Sequence, residues 1–132
     1  MSLDLVDIGA NLTHESFRHD FDAVLDRARA AGVAQMVVTG ASAQGAQDAV
    51  ALAHRHPGFL FATAGVHPHH AAEYTSETDA LLRTLVADPA VRAAGETGLD
   101  YYRDIAPRAA QLFAFERQVE IAIDAGKPLF LH

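Results

Sequence analysis

Side chains that can hold a metal ion or move a proton occur at separated points of this 132-residue chain. Each lies at or just after a short apolar segment that is typical of a buried strand. They are Asp7, Asn11, His67, Glu96 and His132. Because catalytic groups gather at the carboxyl ends of parallel strands, we expect these side chains to share one face of the fold. Imidazole and carboxylate ligands suit Mg²⁺, Mn²⁺ or Zn²⁺, with positions left open for water and substrate.

Each of these residues also has a plainer structural interpretation. Asp7 could cap a turn, Asn11 could open a helix, and His67 could be a solvated loop histidine. Glu96 is harder to explain in this way. A carboxylate on a glycine-flanked turn after a buried strand is costly to bury without a cation or a hydrogen-bond donor. Two further histidines of the same loop are expected to be solvated: His69 and His70.

Composition and motifs exclude several classes of protein. The chain has no cysteine, which rules out a disulfide framework and a thiolate metal site. Its net charge of −7 disfavours a nucleic-acid binder with a broad basic surface, but it is compatible with an enzyme that binds phosphates through metal ions. It carries no serine-hydrolase elbow, P-loop or dinucleotide glycine motif. The first residues lack a secretion signal and no apolar run could span a membrane, so we expect a cytoplasmic protein without a membrane partner.

Strand and helix signals alternate along the chain. Apolar strands are predicted at Leu3–Ile8, Ala34–Thr39, Phe59–Ala64, Val91–Ala94 and Pro128–His132. Helical spacing predicts helices at Phe17–Ala31, from Ser42 to just before Pro57, at Thr78–Ala87, and from near Pro107 to Gly126. The residues of the last helix expected to face the core are Leu112, Phe115, Val119 and Ala122. The order βαβαβαβαβ predicts the α/β class with parallel strands.

Two α/β architectures fit this order: an open doubly wound sheet and the first half of a TIM (β/α)₈ barrel. A full barrel takes about 250 residues, so 132 residues make about half of one. The last predicted strand stops without a loop or helix to cover it. We therefore expect residues 1–132 to be the amino-terminal half of a single barrel domain, truncated at His132.

Four segments resemble motifs of the TatD family of metal-dependent deoxyribonucleases, in the subgroup that lacks a His-x-His pair on the first strand. They are DIGANLT at Asp7–Thr13, GVHPH at Gly65–His69, GETGLDYY at Gly95–Tyr102 and PLFLH at Pro128–His132. The resemblance covers the whole chain but only half of a family member, and GVHPH followed by GETGLDYY is its most specific part. It implies a TIM-barrel hydrolase of the amidohydrolase-like superfamily. The implied activity is hydrolysis of DNA with Mg²⁺ or Mn²⁺, starting from single-stranded 3′ ends.

The resemblance also implies a role for each matched residue. Glu96 would be the central metal ligand, able to bridge two metals, and His132 the next ligand. His67 would line the site near the scissile phosphate, and Asp100 would orient its loop. The base-stacking residues would be Tyr101 and Tyr102, whose alternative role is to pack their own loop. The fourth helix of the family is also matched by the spacing of Arg108, Gln111, Phe115 and Gln118.

The first strand departs from the commoner family pattern, in which two histidines bind one metal. Gly9 and Asn11 occupy those positions, and glycine cannot ligate a metal. Asp7 and water would then hold that metal, which favours Mg²⁺ over Zn²⁺.

Three functions remain open. The first is a metallonuclease of which residues 1–132 hold only part of the site, so that this fragment alone is inactive. The second is another hydrolase of the same superfamily that acts on a small substrate, since fold does not fix substrate. The third is a non-catalytic half-barrel that serves assembly, because exposed edges on its first and fifth strands favour self-association.

Overall fold

The computed structural model describes residues 4–132, in which strands and helices alternate. The strands are β1 (Leu5–Ala10), β2 (Val33–Val38), β3 (Leu60–Ala64), β4 (Val91–Thr97) and β5 (Leu129–Leu131). The helices are α1 (Phe21–Ala30), α2 (Ala43–Arg55), α3 (Ser76–Val86) and α4 (Arg108–Ala125). Short 3₁₀ segments lie at Glu15–Phe17 and Pro68–Glu73. The predicted start of the first strand, Leu3, lies outside the described residues.

The five strands are parallel and lie in the sheet in their sequence order. A doubly wound sheet reverses its strand order at a switch point, so that alternative is wrong. The sheet also curls. A Cβ atom added to Gly9 in β1 would lie 3.4 Å from the ring of Phe130 in β5, although three strands separate them in the sheet. The predicted fold, the first half of a parallel (β/α) barrel, is confirmed.

Helix α2 forms and packs as its sequence pattern predicts. The Ser42 hydroxyl accepts a hydrogen bond from the Gly45 backbone N–H at 3.0 Å and caps the first turn. The predicted inner face is buried against the sheet and consists of Ala46, Ala49, Val50 and Ala53. Small side chains on this face let the helix approach the strands closely.

The two outer strands of the sheet are much less covered than the central ones. In β1 the side chains of Leu5, Val6 and Ile8 are 48 to 66% exposed. Leu131 in β5 is 60% exposed, whereas Leu60 in β3 is buried. Apolar side chains are thus exposed along both open edges of the half-barrel within residues 4–132.

The inner face of α4 differs from the prediction. Leu112 is exposed, and Gln111 and Gln118 are buried in the positions that face the sheet. Hydrophobicity alone predicted Leu112 to point inward. The two glutamines occupy these buried positions because their amides form hydrogen bonds with backbone groups of the loops beneath the helix. Ala122, also predicted to face inward, is buried.

Two further boundaries differ from the sequence pattern. Strand β4 continues to Thr97, three residues beyond its predicted end, because Gly95 and Thr97 pair with β5. Helix α1 begins at Phe21 rather than Phe17, since Asp20 adopts a non-helical backbone with φ of −137°. None of the helices in residues 4–132 is both long and apolar enough to cross a membrane.

Candidate metal centre

The loop after β3 places His67 with a fixed ring orientation. Its backbone N–H donates to the Ala41 carbonyl, which follows β2, at 2.8 Å. The Nδ1 atom of the ring accepts from the His69 backbone N–H at 3.0 Å, and this contact starts the 3₁₀ segment Pro68–Glu73. An accepting Nδ1 carries no proton, so neutral His67 has its proton on Nε2. Burial lowers the pKa of His67 below its ordinary value, and the Glu96 carboxylate opposes this only in part.

Glu96 and His132 meet in front of that ring. The distance from Glu96 Oε1 to His132 Nδ1 is 2.9 Å, and His67 Nε2 lies 3.5 Å from the same oxygen and 3.1 Å from the same nitrogen. Glu96 is on β4 itself rather than on a turn after it, because the strand is longer than predicted. The ends of β3, β4 and β5 therefore bring the three predicted side chains together.

The buried carboxylate of Asp100 contacts His132 at the ring nitrogen that faces away from Glu96. Its Oδ2 atom accepts from His69 Nε2 at 2.8 Å and from the Arg103 guanidinium at 2.9 Å, and lies 3.2 Å from His132 Nε2. The backbone N–H of Arg103 donates to the other oxygen at 2.9 Å. This N–H, then His69 and the Arg103 side chain, hold the pKa of Asp100 well below its usual range. Asp100 thus orders its loop and also touches two histidines of the centre.

Two glutamines of α4 hold the loops that carry these groups. Gln118 accepts from the Val66 N–H at 2.8 Å and donates to the Val66 carbonyl at 3.1 Å, directly before His67. Gln111 accepts from the Asp100 N–H at 2.8 Å. Each buried amide therefore supplies the hydrogen-bond partner that these backbone groups of the loops do not find in another strand or helix. The sequence signal was the seven-residue spacing of two glutamines on one helix face.

Glycines let the strand ends approach one another closely. A Cβ atom on Gly65 would lie 2.3 Å from the Cα atom of Gly95, a distance no side chain tolerates. Gly95 in turn approaches the Phe130 carbonyl so closely that a Cβ there would lie 2.2 Å from its oxygen. A side chain at either position would push the ends of β3, β4 and β5 apart.

The donor set fits a divalent metal ion. His132 lies between two carboxylates, Glu96 on Nδ1 and Asp100 on Nε2, but a neutral imidazole has only one N–H to donate. Its other nitrogen then opposes a carboxylate, lone pair to lone pair. A cation beside this nitrogen and its carboxylate removes the conflict, as a second ring proton would. Nitrogen atoms of His67, His69 and His132 lie within 4.8 Å of one another, so the three imidazoles surround one small space.

The prediction that His69 is solvated is wrong. Its side chain is 28% exposed and its Nε2 atom is bound to the buried Asp100. The 3₁₀ segment turns the residue back toward the strand ends, and nothing in the apolar pattern signals that turn. His70 is exposed, as predicted.

The predicted groups of the first strand make no direct hydrogen bond with this centre in the described residues. Asp7 accepts only from the Gly9 backbone N–H, at 3.0 Å, and its side chain and that of Asn11 are exposed. Within residues 4–132 no hydrogen bond or ion pair links either side chain to Glu96 or His132. A bulge in β1 between Asp7 and Ala10 accompanies this separation.

The two tyrosines of the following loop have different surroundings. The Arg108 guanidinium lies 4.6 Å from the centroid of the Tyr101 ring. Tyr102 is 96% exposed. Of the two predicted stacking residues, only Tyr102 presents both faces of its ring to solvent.

Parallel strands in barrel order, with histidines and carboxylates gathered at their carboxyl ends, are the arrangement of TIM-barrel hydrolases. The chain belongs to the TatD related DNase family, whose model matches residues 6–132. It is 46% identical over 128 residues to the 3′-5′ ssDNA/RNA exonuclease TatD of Erwinia billingiae, covering 97% of this chain and 49% of that protein. The TatD exonuclease of Pantoea vagans is 45% identical over the same shares of both chains.

Solved structures agree with this membership. YJJV, a TATD homolog from Escherichia coli, matches with a TM-score of 0.89 and 27% identity over 100% of this chain and 51% of that one. A hydrolase TatD family protein from Entamoeba histolytica matches with a TM-score of 0.85 and 28% identity, over 100% of this chain and 50% of that one. The chain spans about half the length of the curated relatives it matches.

Proposed function

We propose that the full-length protein hydrolyses phosphodiester bonds of single-stranded DNA or RNA from the 3′ end, with a bound divalent metal. The observation that carries the proposal is the 2.9 Å contact of Glu96 with His132 at adjacent strand ends. Family membership and the names of the relatives, which are single-strand exonucleases, support the reaction and substrate. Mg²⁺ is the expected metal, with Mn²⁺ and Zn²⁺ as alternatives.

Glu96 and His132 would hold the metal. When bound, it supplies a nucleophilic water at neutral pH and stabilises charge on the phosphate oxygens. Asp100 orients the His132 ring through Nε2, as carboxylates commonly do for metal-binding histidines. His67 directs its Nε2–H into the same space and can donate it to a phosphate oxygen. Its Nδ1 is already used by the His69 backbone, which makes His67 a hydrogen-bond donor rather than a metal ligand.

The test is cleavage of a 5′-labelled single-stranded oligonucleotide by the full-length protein with Mg²⁺. We expect a ladder shortened from the 3′ end, and a rate about 1,000-fold lower in Glu96→Gln. The matched control is Glu116→Gln, an exposed carboxylate of α4, which should cleave as the wild type does. Unchanged cleavage by Glu96→Gln, with both variants folded by circular dichroism, would refute the assignment.

Base stacking on Tyr102 is the finer part of the proposal. Because both of its ring faces are open, Tyr102→Ala should raise KM for single strands about 10-fold with kcat unchanged, as expected for loss of one stacked base. Tyr101→Ala should change KM much less, since Arg108 covers its ring. An equal effect of both substitutions would favour a loop-packing role for the pair.

The exposed edges support one proposal for the 132-residue chain on its own. Leu5, Val6 and Ile8 of β1 and Leu131 of β5 present apolar side chains and unpaired strand edges, which favour association. We expect this chain to be inactive alone and to form dimers or larger species in light scattering. A stable monomer would contradict the association.

A further inference from the structure

The loop after β4 carries an arginine, Arg103, beside the metal centre. Its Nη1 atom donates to Asp100 Oδ2 at 2.9 Å, and the same oxygen lies 3.2 Å from His132 Nε2. The guanidinium and the His132 ring are therefore joined through one carboxylate oxygen. Among residues 4–132, no other arginine or lysine forms a hydrogen bond or an ion pair with the histidines or carboxylates of this centre.

One edge of the Arg103 guanidinium is free to bind a ligand. Nη1 is used by Asp100, whereas Nε and Nη2 have no hydrogen-bond partner in the part of the chain that the structure describes. The side chain is 55% exposed, although the carboxylate that it binds is buried. An Nε–Nη2 pair can donate two parallel hydrogen bonds, and this geometry matches two oxygens of a phosphate. Arg103 is thus held at one end and open at the other.

The nearby Arg108 has the opposite arrangement. Its Nε and Nη2 atoms donate to the two carboxylate oxygens of Asp104 at 3.0 and 3.3 Å. The two-donor edge of this arginine is therefore occupied, and its guanidinium also lies over the Tyr101 ring. Of these two arginines, only Arg103 keeps the edge that can take a phosphate.

The loop positions Arg103 before a ligand binds. The Arg103 backbone N–H donates to Asp100 Oδ1 at 2.9 Å, and the Asp104 N–H donates to the Asp100 carbonyl at 3.0 Å. Gln111 of α4 accepts from the Asp100 N–H at 2.8 Å. Because these contacts already order the loop, a ligand of Arg103 pays less conformational entropy on binding.

The position of Arg103 indicates which phosphate it can reach. Asp100 contacts the His132 nitrogen that faces away from Glu96, so Arg103 lies to the side of the space between Glu96 and His132. A phosphate next to the scissile one fits this position better than the scissile phosphate itself. We propose that Arg103 binds such a flanking phosphate of the single strand through Nε and Nη2, while Nη1 stays on Asp100. This inference rests on the proposed function, because it names a further contact with the same substrate.

The test couples the arginine to one phosphate of the strand. A methylphosphonate linkage replaces a charged phosphate oxygen with a neutral methyl group. Octathymidylates with one such linkage, second, third or fourth from the 3′ end, are compared with the unmodified strand. We expect one position to lower the affinity of the wild-type full-length protein about 10-fold, and to have no effect in Arg103→Gln. Fluorescence anisotropy in EDTA measures affinity, and kcat/KM with Mg²⁺ gives a second readout of the same coupling.

The matched control is Arg29→Gln, which removes the same charge at the amino ends of the strands. Arg29 lies over the ring of Phe59, the residue directly before β3. This variant should respond to each modified linkage as the wild type does. If Arg103→Gln fails to fold, Arg103→Lys keeps a charge beside Asp100 without the two-donor edge, and should reduce the 10-fold effect to about threefold or less.

Each outcome decides the proposal. A methylphosphonate effect that disappears in Arg103→Gln and persists in Arg29→Gln supports the contact. Equal effects in the wild type and Arg103→Gln, or a loss of Mn²⁺ affinity without coupling to any linkage, would show that Arg103 only supports Asp100, and overturn it. If the wild type binds the strands but cleaves none with Mg²⁺, the nuclease proposal fails while the binding data still test Arg103. If the wild type neither binds nor cleaves them, both proposals fail.

Discussion

The carboxyl ends of β3, β4 and β5 and the carboxyl end of β1 lie on one face of the sheet but are built differently. At the first three, His67, Glu96 and His132 lie within 3.5 Å of one another. In β1, the Asp7 side chain accepts only from the Gly9 N–H of the same strand, and Asn11, just after the strand, is exposed. Topology alone does not account for this, because it treats the strand ends alike.

Local hydrogen bonds explain the difference. The N–H of Glu96 donates to the Gly40 carbonyl at 2.8 Å, and that of His132 to the Thr97 carbonyl at 2.9 Å, so the carboxyl ends of β2 and β4 fix these two residues. Gln118 then fixes the loop of His67 from α4. The backbone of Asp7 is also held, by pairing with Met36 of β2, but its side chain turns onto the Gly9 N–H of its own strand instead of toward the other groups.

The largest expected loss of activity follows substitution of His132. Because its Nδ1 atom faces Glu96, His132→Ala should lower both nuclease activity and Mn²⁺ affinity of the full-length protein by about 100-fold or more. Activity assays and isothermal titration with Mn²⁺ measure the two effects. His70→Ala, in an exposed position near the centre, is the matched control and should change neither.

Removal of the Asp100 carboxylate, which contacts the His132 ring, should have a smaller effect. Asp100→Asn keeps the shape of the side chain but loses the charge that orients His132 and His69, so metal affinity should fall about 10- to 100-fold. The measurement is again Mn²⁺ titration, accompanied by thermal unfolding. Full affinity in a folded variant would mean that Asp100 acts on its loop alone.

The supporting helix can be tested through stability. Gln118→Ala leaves the N–H and carbonyl of Val66 buried without partners and should lower the free energy of unfolding by about 2 kcal/mol. Gln44→Ala, an exposed glutamine of α2, should change it by less than about 0.5 kcal/mol. Urea unfolding of both variants measures the difference, and equal values would remove α4 as the support of the His67 loop.

The smallest effect is expected at β1. Asp7→Asn and Asn11→Ala should each change nuclease activity by less than about threefold, since exposed side chains that do not contact Glu96 or His132 contribute little. A loss as large as that of His132→Ala would show that β1 belongs to the centre, and the contrast between the strand ends would fail.

Much of the fold could be predicted from the sequence because apolar periodicity and turn residues carry it. The alternation of strands and helices, the cap at Ser42 and the inner face of α2 follow from these signals alone. The exact end of β4 could not be predicted, because a glycine such as Gly95 normally indicates the end of a strand. Its close approach to Phe130 is visible only in three dimensions.

The candidate site could be predicted in part for the same reason. Glu96, His67 and His132 were found because each follows or ends a strand signal. His69 was missed because its position depends on the 3₁₀ turn after His67, and Gln111 had no assigned role because its partner is a backbone group of the preceding loop, the Asp100 N–H. Interactions between distant backbone and side-chain groups leave no periodic signal in a sequence.

The central claim is that Glu96 and His132 hold one divalent metal ion between the ends of β4 and β5. The most direct measurement is a crystal structure of the full-length protein grown with Mn²⁺, using anomalous scattering to locate the ion. We predict a peak bonded to both a Glu96 carboxylate oxygen and a His132 ring nitrogen. An occupied metal site that includes neither residue, in a protein that cleaves single strands, would contradict the account.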